Sequence, residues 1–355
     1  MESVIESVVT ESCASVRVDV DEQSQIGAAR RSAVALGRAQ GLGSEAIGRL
    51  AIVVTEAATN IVAHARRGFI VLRGLVSGSI AGVEVLALDK GPGIPDVDRA
   101  MRDGYSTTGT AGQGLGGMKR LADLFAIHSQ RGMGTALLAR IGERGRRPSA
   151  DRPIATTDDD LGVVCLALRG ETECGDAWRI VVERQRISVL VVDGLGHGPD
   201  AAAAATAATT TFLQFANGPI EAAIVALDAA MHETRGAALS VVVIETALRR
   251  AKFSGTGNVD GRVLSGGATE HLVPQNGIVG HGMPTPRSIN VAWPAGARLV
   301  LHSDGILPRW RAEAYEAQTA VHPALLAGLI YRDFARDRDD ATVLVLRDKP
   351  VEERR

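Results

Sequence analysis

The sequence is poor in the residues that build disulfide frameworks, aromatic cores and nucleic-acid surfaces. Its 355 residues include three cysteines without Cys-x-x-Cys spacing, which argues against a disulfide framework or a zinc cluster. Its aromatic residues are six Phe, three Trp and three Tyr, so the cores must be built mainly from Ala, Val, Leu and Ile. The formal net charge is -2, and without a basic excess we expect no nucleic-acid partner.

Long apolar runs are missing as well. The first residues, MESVIESVVTES, are acidic and lack the basic and apolar regions of a signal peptide. No uninterrupted apolar stretch approaches the roughly 18 residues that are needed to span a bilayer. We therefore expect a cytoplasmic protein with no membrane partner.

The composition of the chain changes once, near residues 142–160. This run, GERGRRPSADRPIATTDDD, combines prolines, clustered arginines and three consecutive aspartates, which is typical of a linker. At roughly 100–200 residues per domain, the length predicts two domains. We expect a first domain at residues 15–142 and a second at 161–348, joined by a linker at 143–160. Residues 1–14 and 349–355 are the expected N-terminal and C-terminal tails.

Apolar periodicity predicts an α+β protein. The first domain is expected to be a layer of helices on a sheet, and the second to be two packed sheets flanked by helices. In the first domain, we expect two helices at residues 24–40 and 44–66, strands at 69–76, 83–88 and 135–141, and a third helix that ends at 121–125. In the second domain, we expect helices at 199–215 and 221–233 and strands at 162–169, 178–183, 187–193, 239–246, 251–257, 261–265, 298–303 and 342–347.

Two polar residues mark the second predicted helix. Glu56 and Asn60 are four residues apart, which places both side chains on one face of the helix. A carboxylate and an amide together can hold a hydrated Mg²⁺ ion. Taken alone, the pair is equally compatible with a solvated helix face, which is the more common arrangement.

A strand that ends in the sequence DKGPGIP follows. Asp89, at the end of this strand, can accept a hydrogen bond from an exocyclic amine such as N6 of adenine. Gly91 and Gly93 let the backbone pass close to a flat ring. An ordinary Pro-Gly turn would account for the glycines but not for the aspartate.

A glycine-rich segment, GTAGQGLGGMK, then leads into a helix, and its successive N–H groups can hold a phosphate. Gly112, Gly114 and Gly117 match G-x-G-x-x-G, but polar residues precede them where a dinucleotide fold has a strand. Lys119 does not directly follow the last glycine, which excludes a Walker A loop.

The order of these three pieces resembles the GHKL ATPase family, whose Bergerat fold is a helical layer on a mixed sheet. The resemblance covers most of residues 15–141 and implies an ATP and Mg²⁺ site. It implies that Glu56 positions or activates a water or hydroxyl, that Asn60 binds Mg²⁺ and that Asp89 reads adenine. The glycines that would contact the nucleotide are Gly91, Gly93, Gly112, Gly114, Gly116 and Gly117.

Within that family, the stretch DKGPGIPDVDRAMRDGYSTTGTAGQGLGGMKRLADLF is similar to the RsbT-type serine/threonine kinases of bacterial stress signalling. Those kinases phosphorylate STAS-domain proteins of the stressosome. The RsbW-type anti-sigma factors share the same fold and are the nearest alternative for this domain.

Aspartates punctuate the second half of the chain. Asp193 and Asp304 stand where an apolar strand meets a glycine, and Asp339 and Asp340 directly precede the last predicted strand. Several carboxylates without His or Cys partners suit Mn²⁺ or Mg²⁺. Two such ions can bridge a hydroxide and clamp a phosphate. Any single Asp-Gly pair, taken alone, is more simply a turn.

Residues 160–347 resemble the PPM-type metal-dependent protein phosphatases in their short SpoIIE/RsbX branch. The resemblance implies two Mn²⁺ or Mg²⁺ ions bridged by Asp193, with Asp304 and Asp339 on the second ion. Asp340 is the alternative to Asp339. The full set of metal-site residues that the resemblance implies is Asp176, Asp193, Gly194, Asp304, Asp339 and Asp340. No counterpart of the phosphate-binding arginine of the larger phosphatases is identified.

The sequence therefore predicts a bifunctional signalling enzyme, a protein serine/threonine kinase joined to a protein serine/threonine phosphatase. The predicted catalytic residues are Glu56, Asp193 and Asp304. The expected partners are STAS-domain proteins of the RsbS, RsbR or anti-anti-sigma type, and a sigma factor or downstream regulator. Two alternatives stay open: an RsbW-like anti-sigma factor fused to a phosphatase of its anti-anti-sigma partner, and an ATP-sensing domain that gates the phosphatase.

Overall fold

The computed structural model describes residues 8–10, 15–77, 80–102, 114–143, 160–183, 185–311 and 321–348. The chain forms two compact units, which we describe separately. The N-terminal unit is Cys13–Ser149, and the C-terminal unit combines Met1–Ser12 with Ala150–Arg355. Most of the expected linker, residues 144–159, lies outside the described residues, as does the chain from residue 349 onward.

The N-terminal unit is a layer of helices on a five-stranded sheet. In chain order, the first strand, β1 (Val8–Thr10), belongs to the C-terminal unit. The strands of the N-terminal unit are β2 (Val16–Val20), β3 (Gly68–Ser77), β4 (Ile80–Asp89), β5 (Leu124–Gln130) and β6 (Gly134–Gly142), and its helices are α1 (Gln23–Ala39), α2 (Ser44–Asn60), α3 (Val97–Ala100) and α4 (Leu115–Leu121). The sheet order is β2-β3-β4-β6-β5. Its neighbouring strands are antiparallel, whereas the resemblance implies a mixed sheet.

Helix α2 is the apolar centre of the N-terminal unit. Val53, Val54 and Ala57 recur at helical spacing and are buried in a core shared with the sheet. The helix continues as a π-helical turn, Ile61–Ala65. By length and composition, the combined segment Ser44–Ala65 could cross a membrane, but half of its apolar stretch is buried inside the protein, which is typical of a core helix.

The sequence pattern predicts β3, β4 and β6 but misses β2 and β5. The third helix is expected to end at residues 121–125, whereas α4 stops at the start of that range and β5 follows. In β5, Phe125 pairs with Ala139 and Ile127 with Leu137, which places both side chains against the core. A short, half-buried edge strand alternates too weakly to be distinguished from the end of a helix.

The C-terminal unit packs two antiparallel sheets against each other, as the sequence predicts. Besides β1, its strands are β7 (Leu161–Leu166), β8 (Asp176–Glu183), β9 (Arg186–Gly194), β10 (Ala237–Glu245), β11 (Arg250–Thr256), β12 (Asp260–Ser265), β13 (Ala268–Leu272), β14 (Ile289–Ala292), β15 (Arg298–His302) and β16 (Ala341–Arg347). Its helices are α5 (Pro199–Phe215), α6 (Ile220–Met231) and α7 (Pro323–Phe334). The sheet orders are β1-β8-β9-β10-β11-β14 and β13-β12-β15-β16-β7.

Two apolar layers hold the C-terminal unit together. The two sheets enclose a core that contains the fully buried Trp178 and Trp293. Helices α5 and α6 form a second core on the other face of the first sheet, where small residues such as Ala204 let helix and strand approach closely. The sequence analysis misses α7, whose first nine residues are buried.

Strand β1 is an edge strand of the first sheet and pairs with β8. The antiparallel pairing joins Val8 to Val182, Val9 to Val181 and Thr10 to Ile180. A segment expected as an N-terminal tail thus contributes a strand to the C-terminal unit, although it precedes the N-terminal unit in the chain. Strand β8, which begins at Asp176, therefore has a paired neighbour on each side.

A buried charge network lies on three neighbouring strands of the N-terminal unit. Glu84 on β4 accepts hydrogen bonds from Arg73 on β3, at 2.9 Å, and from Arg140 on β6, at 2.7 Å. Burial alone would raise the pKa of Glu84, but the two guanidinium groups outweigh it and lower this pKa to about 2.

We predict that Glu84→Gln destabilises the protein by about 3–5 kcal/mol, because two buried guanidinium groups lose their countercharge. Since the folded-state pKa lies below the usual value, the stability contributed by Glu84 is present above about pH 4.3 and is lost as the pH falls towards 2. Urea unfolding of both proteins between pH 3 and pH 7 measures the effect.

The matched control is Glu45→Gln, because Glu45 is 69% exposed in its ion pair with Arg49 and should contribute little. An E84Q protein with the wild-type urea midpoint at pH 7 would show that the network does not stabilise the fold.

Candidate nucleotide site and candidate metal centre

The predicted Mg²⁺ pair lies at the end of the core helix of the N-terminal unit. Glu56 and Asn60 are half-buried, while their neighbours Ala57 and Ala58 are fully buried. The apolar face therefore anchors the helix, and the polar pair lies at its rim. Asn60 is the last residue before the π-helical turn, a feature that occurs often at functional sites.

Asp89 is held in place by two backbone groups. Its Oδ1 accepts hydrogen bonds from the N–H of Gly91, at 2.7 Å, and from the N–H of Thr135 on β6, at 3.2 Å. These bonds join the end of β4 to the start of β6 and fix the orientation of the carboxylate. The carboxylate is half-buried, as a group that recognises one amine of a flat ring should be.

The glycines after Asp89 serve the protein's own packing. Gly93 has a φ of +71°, and a Cβ at this position would lie 2.2 Å from the carbonyl oxygen of Gln130. Gly134 has a φ of +82°, and its Cβ would lie 2.1 Å from the carbonyl oxygen of Asp89. The loop can therefore close on the β5–β6 turn only with glycine at these positions.

Of the four predicted phosphate-binding glycines, Gly112 lies outside the described residues. Gly114 directly precedes α4, while Gly116 and Gly117 are in its first turn. Met118 of α4 is fully buried in the core that α2 shares with the sheet. Helix α4, the Glu56 helix and the Asp89 strand are thus parts of one core, although they are far apart in the sequence.

Aspartates gather at one end of the two sheets of the C-terminal unit. Asp193, at the end of β9, pairs directly with Asp176, at the start of β8. Burial and the charges of Asp304 and Asp339 raise the pKa of Asp193 to about 7. Burial and the charge of Asp193 also raise the pKa of Asp176 well above its ordinary value. The fold thus brings together carboxylates that repel each other.

Neighbouring polar groups orient these carboxylates. Ser303 Oγ donates a hydrogen bond to Asp176 Oδ2 at 2.6 Å and accepts one from the N–H of Thr342 at 3.0 Å. Asn258 Nδ2 donates to Asp304 Oδ2 at 2.7 Å. The sequence analysis assigned no role to Ser303, although it directly precedes Asp304. Asn258 ends the segment SGTGN, which resembles a segment of the SpoIIE/RsbX branch of the phosphatases.

The structure distinguishes the two adjacent aspartates before β16. Asp340 is buried, and its two oxygens accept hydrogen bonds from the N–H groups of Leu168, at 2.7 Å, and Gly175, at 2.8 Å. Its carboxylate therefore ties the segment before β16 to both ends of the loop between β7 and β8. Asp339 adds negative charge that raises the pKa of Asp304, and it raises the pKa of Asp193 more than Asp340 does. This geometry favours Asp339 as the metal ligand.

The donor set suits a hard divalent cation. Asp193, Asp304 and Asp339 offer carboxylate oxygens, and Gly194 adds a backbone carbonyl, which are the ligands that Mg²⁺ and Mn²⁺ prefer. Across the described ranges, no three His, Cys, Asp or Glu side chains are already drawn together as a finished metal site. A cation would offset the repulsion between these aspartates, so the residues fit the group that the sequence implies.

Family models match both parts of the chain. Residues 20–141 match the family described as "Histidine kinase-like ATPase domain", and residues 183–349 match "Stage II sporulation protein E (SpoIIE)". The chain belongs to the first family through its N-terminal part, and its C-terminal part carries the region that matches SpoIIE. Asp176 of the metal centre lies before the matched SpoIIE range, on a strand of the same unit.

Two relatives from Bacillus subtilis resemble the two parts of the chain. The serine/threonine-protein kinase RsbT is 36% identical over 129 residues, which are 36% of this chain and 94% of RsbT. The phosphoserine phosphatase RsbX is 24% identical over 156 residues, which are 43% of this chain and 78% of RsbX. The chain thus combines a kinase-like ATPase domain with a SpoIIE phosphatase domain, the composition of a partner-switching regulator.

A solved structure also resembles the chain. It is described as "The bacterial stressosome: a modular system that has been adapted to control secondary messenger signaling". It is 27% identical with a TM-score of 0.50, over 52% of this chain and 97% of that chain. The predicted α+β fold class is confirmed.

We predict that Asp339→Asn and Asp340→Asn act in opposite directions on the metal-free SpoIIE domain. Asp339→Asn should raise the urea midpoint, because it removes one repelling charge. Asp340→Asn should lower it, because the weaker acceptor holds two backbone N–H groups. Urea unfolding in EDTA measures both.

Adding Mn²⁺ should raise the midpoint of the wild-type protein and of D340N far more than that of D339N, because ligand binding stabilises the folded state. A D339N protein that Mn²⁺ stabilises as much as the wild type would contradict the assignment of Asp339.

Proposed function

We propose that the chain is a bifunctional signalling enzyme. Its ATPase domain transfers the γ-phosphate of ATP to serine or threonine of a STAS-domain regulator, and its SpoIIE domain removes phosphate from the same or a neighbouring regulator. The observation that carries the proposal is that one chain presents a nucleotide constellation around Asp89 and a carboxylate centre around Asp193, each on buried elements of its own unit. Similarity to both RsbT and RsbX supports it.

The ATPase domain is suited to phosphoryl transfer because this reaction needs positioning and charge neutralisation more than covalent catalysis. Asp89, oriented by Gly91 and Thr135, would accept a hydrogen bond from the adenine amine. Asn60 would hold Mg²⁺, which neutralises phosphate charge when bound. Glu56, four residues earlier on the same face of α2, would orient or deprotonate the attacking hydroxyl.

The SpoIIE domain is suited to phosphomonoester hydrolysis. Asp193, Asp304, Asp339 and the Gly194 carbonyl would hold two Mn²⁺ or Mg²⁺ ions, which supply an activated water and a clamp for the phosphate when bound. The hydrogen bond from Asn258 orients Asp304. Asp176, held by Ser303, would accept hydrogen bonds from waters at the metals.

The test is a pair of single variants of the full chain. Asp193→Ala should lose Mn²⁺-dependent phosphatase activity by at least a hundredfold and keep ATP-dependent phosphorylation of a STAS-domain protein. Glu56→Ala should lose phosphorylation and keep the phosphatase. Labelled ATP with a purified STAS-domain protein, with and without Mn²⁺, measures both reactions, and Glu45→Ala on the exposed part of α2 is the control.

Equal loss of both reactions in both variants would contradict two separate sites. Binding of ATP without phosphate transfer to any STAS-domain protein would instead identify an ATP-sensing domain. Co-purification with a sigma factor, again without transfer, would identify an anti-sigma module fused to a phosphatase.

A further inference from the structure

The carboxylate centre has no assigned side chain for the substrate's own negative charge. A phosphomonoester dianion is best held by an arginine, whose planar guanidinium donates two parallel hydrogen bonds to phosphate oxygens. Two arginines of the SpoIIE domain lie beside the centre, Arg235 and Arg336, and they differ in what surrounds them.

Strand register places Arg235 alongside the metal loop. In the β9–β10 ladder, Ala237 pairs with Gly194 and Ala238 with Asp193. Just beyond the ladder, the N–H of Leu195 donates a hydrogen bond to the carbonyl oxygen of Gly236 at 3.0 Å. The segment that precedes β10 therefore continues beside the loop that follows Asp193.

The guanidinium of Arg235 rests on a glycine of that loop. A Cβ at Gly196 would lie 3.1 Å from Nη1 of Arg235. Gly196 has a φ of +90°, a conformation that glycine adopts easily, and its missing side chain leaves room for the arginine. The cation is thereby positioned three residues along the chain from Asp193.

Arg235 remains accessible to a substrate. Its ion-pair partner is Asp200, and the two side chains are 53% and 65% exposed. Exposed ion pairs of this kind contribute little to stability, so the guanidinium can exchange the carboxylate for a phosphate at small cost.

Arg336 is placed differently. Its charge lowers the pKa of Asp304, so it acts on a predicted metal ligand. Its backbone N–H donates to the carbonyl oxygen of Gly305 at 2.8 Å, on the loop that follows that ligand. Arg336 therefore balances part of the carboxylate charge within the centre, whereas Arg235 lies beside it with an exposed, exchangeable partner.

We propose that Arg235 binds the phosphate group of the substrate in the SpoIIE domain. The proposal rests on the phosphatase activity proposed above and adds to it the residue that recognises phosphate. Arg235 takes no part in bond breaking, and its contribution is to substrate affinity.

The experiment compares full-chain Arg235→Ala and Arg235→Lys with the wild type, using a phosphoserine peptide and Mn²⁺. We expect Arg235→Ala to raise KM about tenfold to a hundredfold, the usual effect of losing a charge-assisted hydrogen-bonded pair, with a smaller change in kcat. Arg235→Lys should be intermediate, because lysine keeps the charge but not the planar fork. The Mn²⁺ concentration for half-maximal activity should stay unchanged.

A second readout does not depend on turnover. Inorganic phosphate is titrated into the Mn²⁺-loaded proteins and its binding is followed by calorimetry, with the dissociation constant expected to rise in Arg235→Ala by the same factor as KM. The matched control is Arg250→Ala, because Arg250 is 50% exposed in an ion pair with Glu245 at the far end of β10. It should leave both constants unchanged.

The proposal would be overturned if Arg235→Ala kept the KM and the phosphate affinity of the wild type. It would also be overturned if Arg336→Ala lost phosphate affinity while Arg235→Ala did not. An equal loss in Arg250→Ala would also overturn it, since the effect would then be general charge. If the wild-type protein hydrolyses no phosphopeptide, the proposed function fails, while the phosphate titration still tests Arg235.

Discussion

Repulsion between closely spaced, partly buried aspartates is the constraint on which the SpoIIE domain is organised. Asp193 pairs with Asp176 across a β-ladder, and burial together with the charges of Asp304 and Asp339 raises the pKa of Asp193 to about 7. Such an arrangement opposes folding unless neighbouring groups stabilise it. Hydrogen bonds from Ser303 and Asn258 supply part of that stabilisation, and a divalent cation would supply the rest. The carboxylates that weaken the fold are therefore the ones that a divalent cation would stabilise.

The two domains use the same structural solution for different chemistry. In each, a strand with a buried apolar body ends in an aspartate, Asp89 in the ATPase domain and Asp193 in the SpoIIE domain. The strand body fixes the position of the carboxylate, and a glycine-containing loop then turns away from the sheet. A rigid scaffold with a polar end is what both positioning of a nucleotide and positioning of a metal require.

Much of the fold can be predicted from the periodicity of apolar residues, and the strands that the sequence does not predict share a cause. Helix α2 and strands β3, β4 and β9 have patterns long enough to predict. The missed strands β1, β2, β5, β13 and β14 are short or lie at an edge of their sheet, so their signals are weak or ambiguous. Partner strands and packing surfaces, which lie far away in the sequence, determine these elements.

The sequence by itself determined which residues are candidates for chemistry, because residue type and order along the chain single out Glu56 with Asn60, Asp89 and the aspartates of the second half. Only the tertiary structure decided which contacts each of several neighbouring residues makes. Asp340 is tied to backbone N–H groups 165 and 172 residues away while Asp339 adjoins the other carboxylates, and Arg235 reaches Gly196 across a ladder. Adjacent residues in a chain point in different directions, and only long-range pairing determines what each one meets.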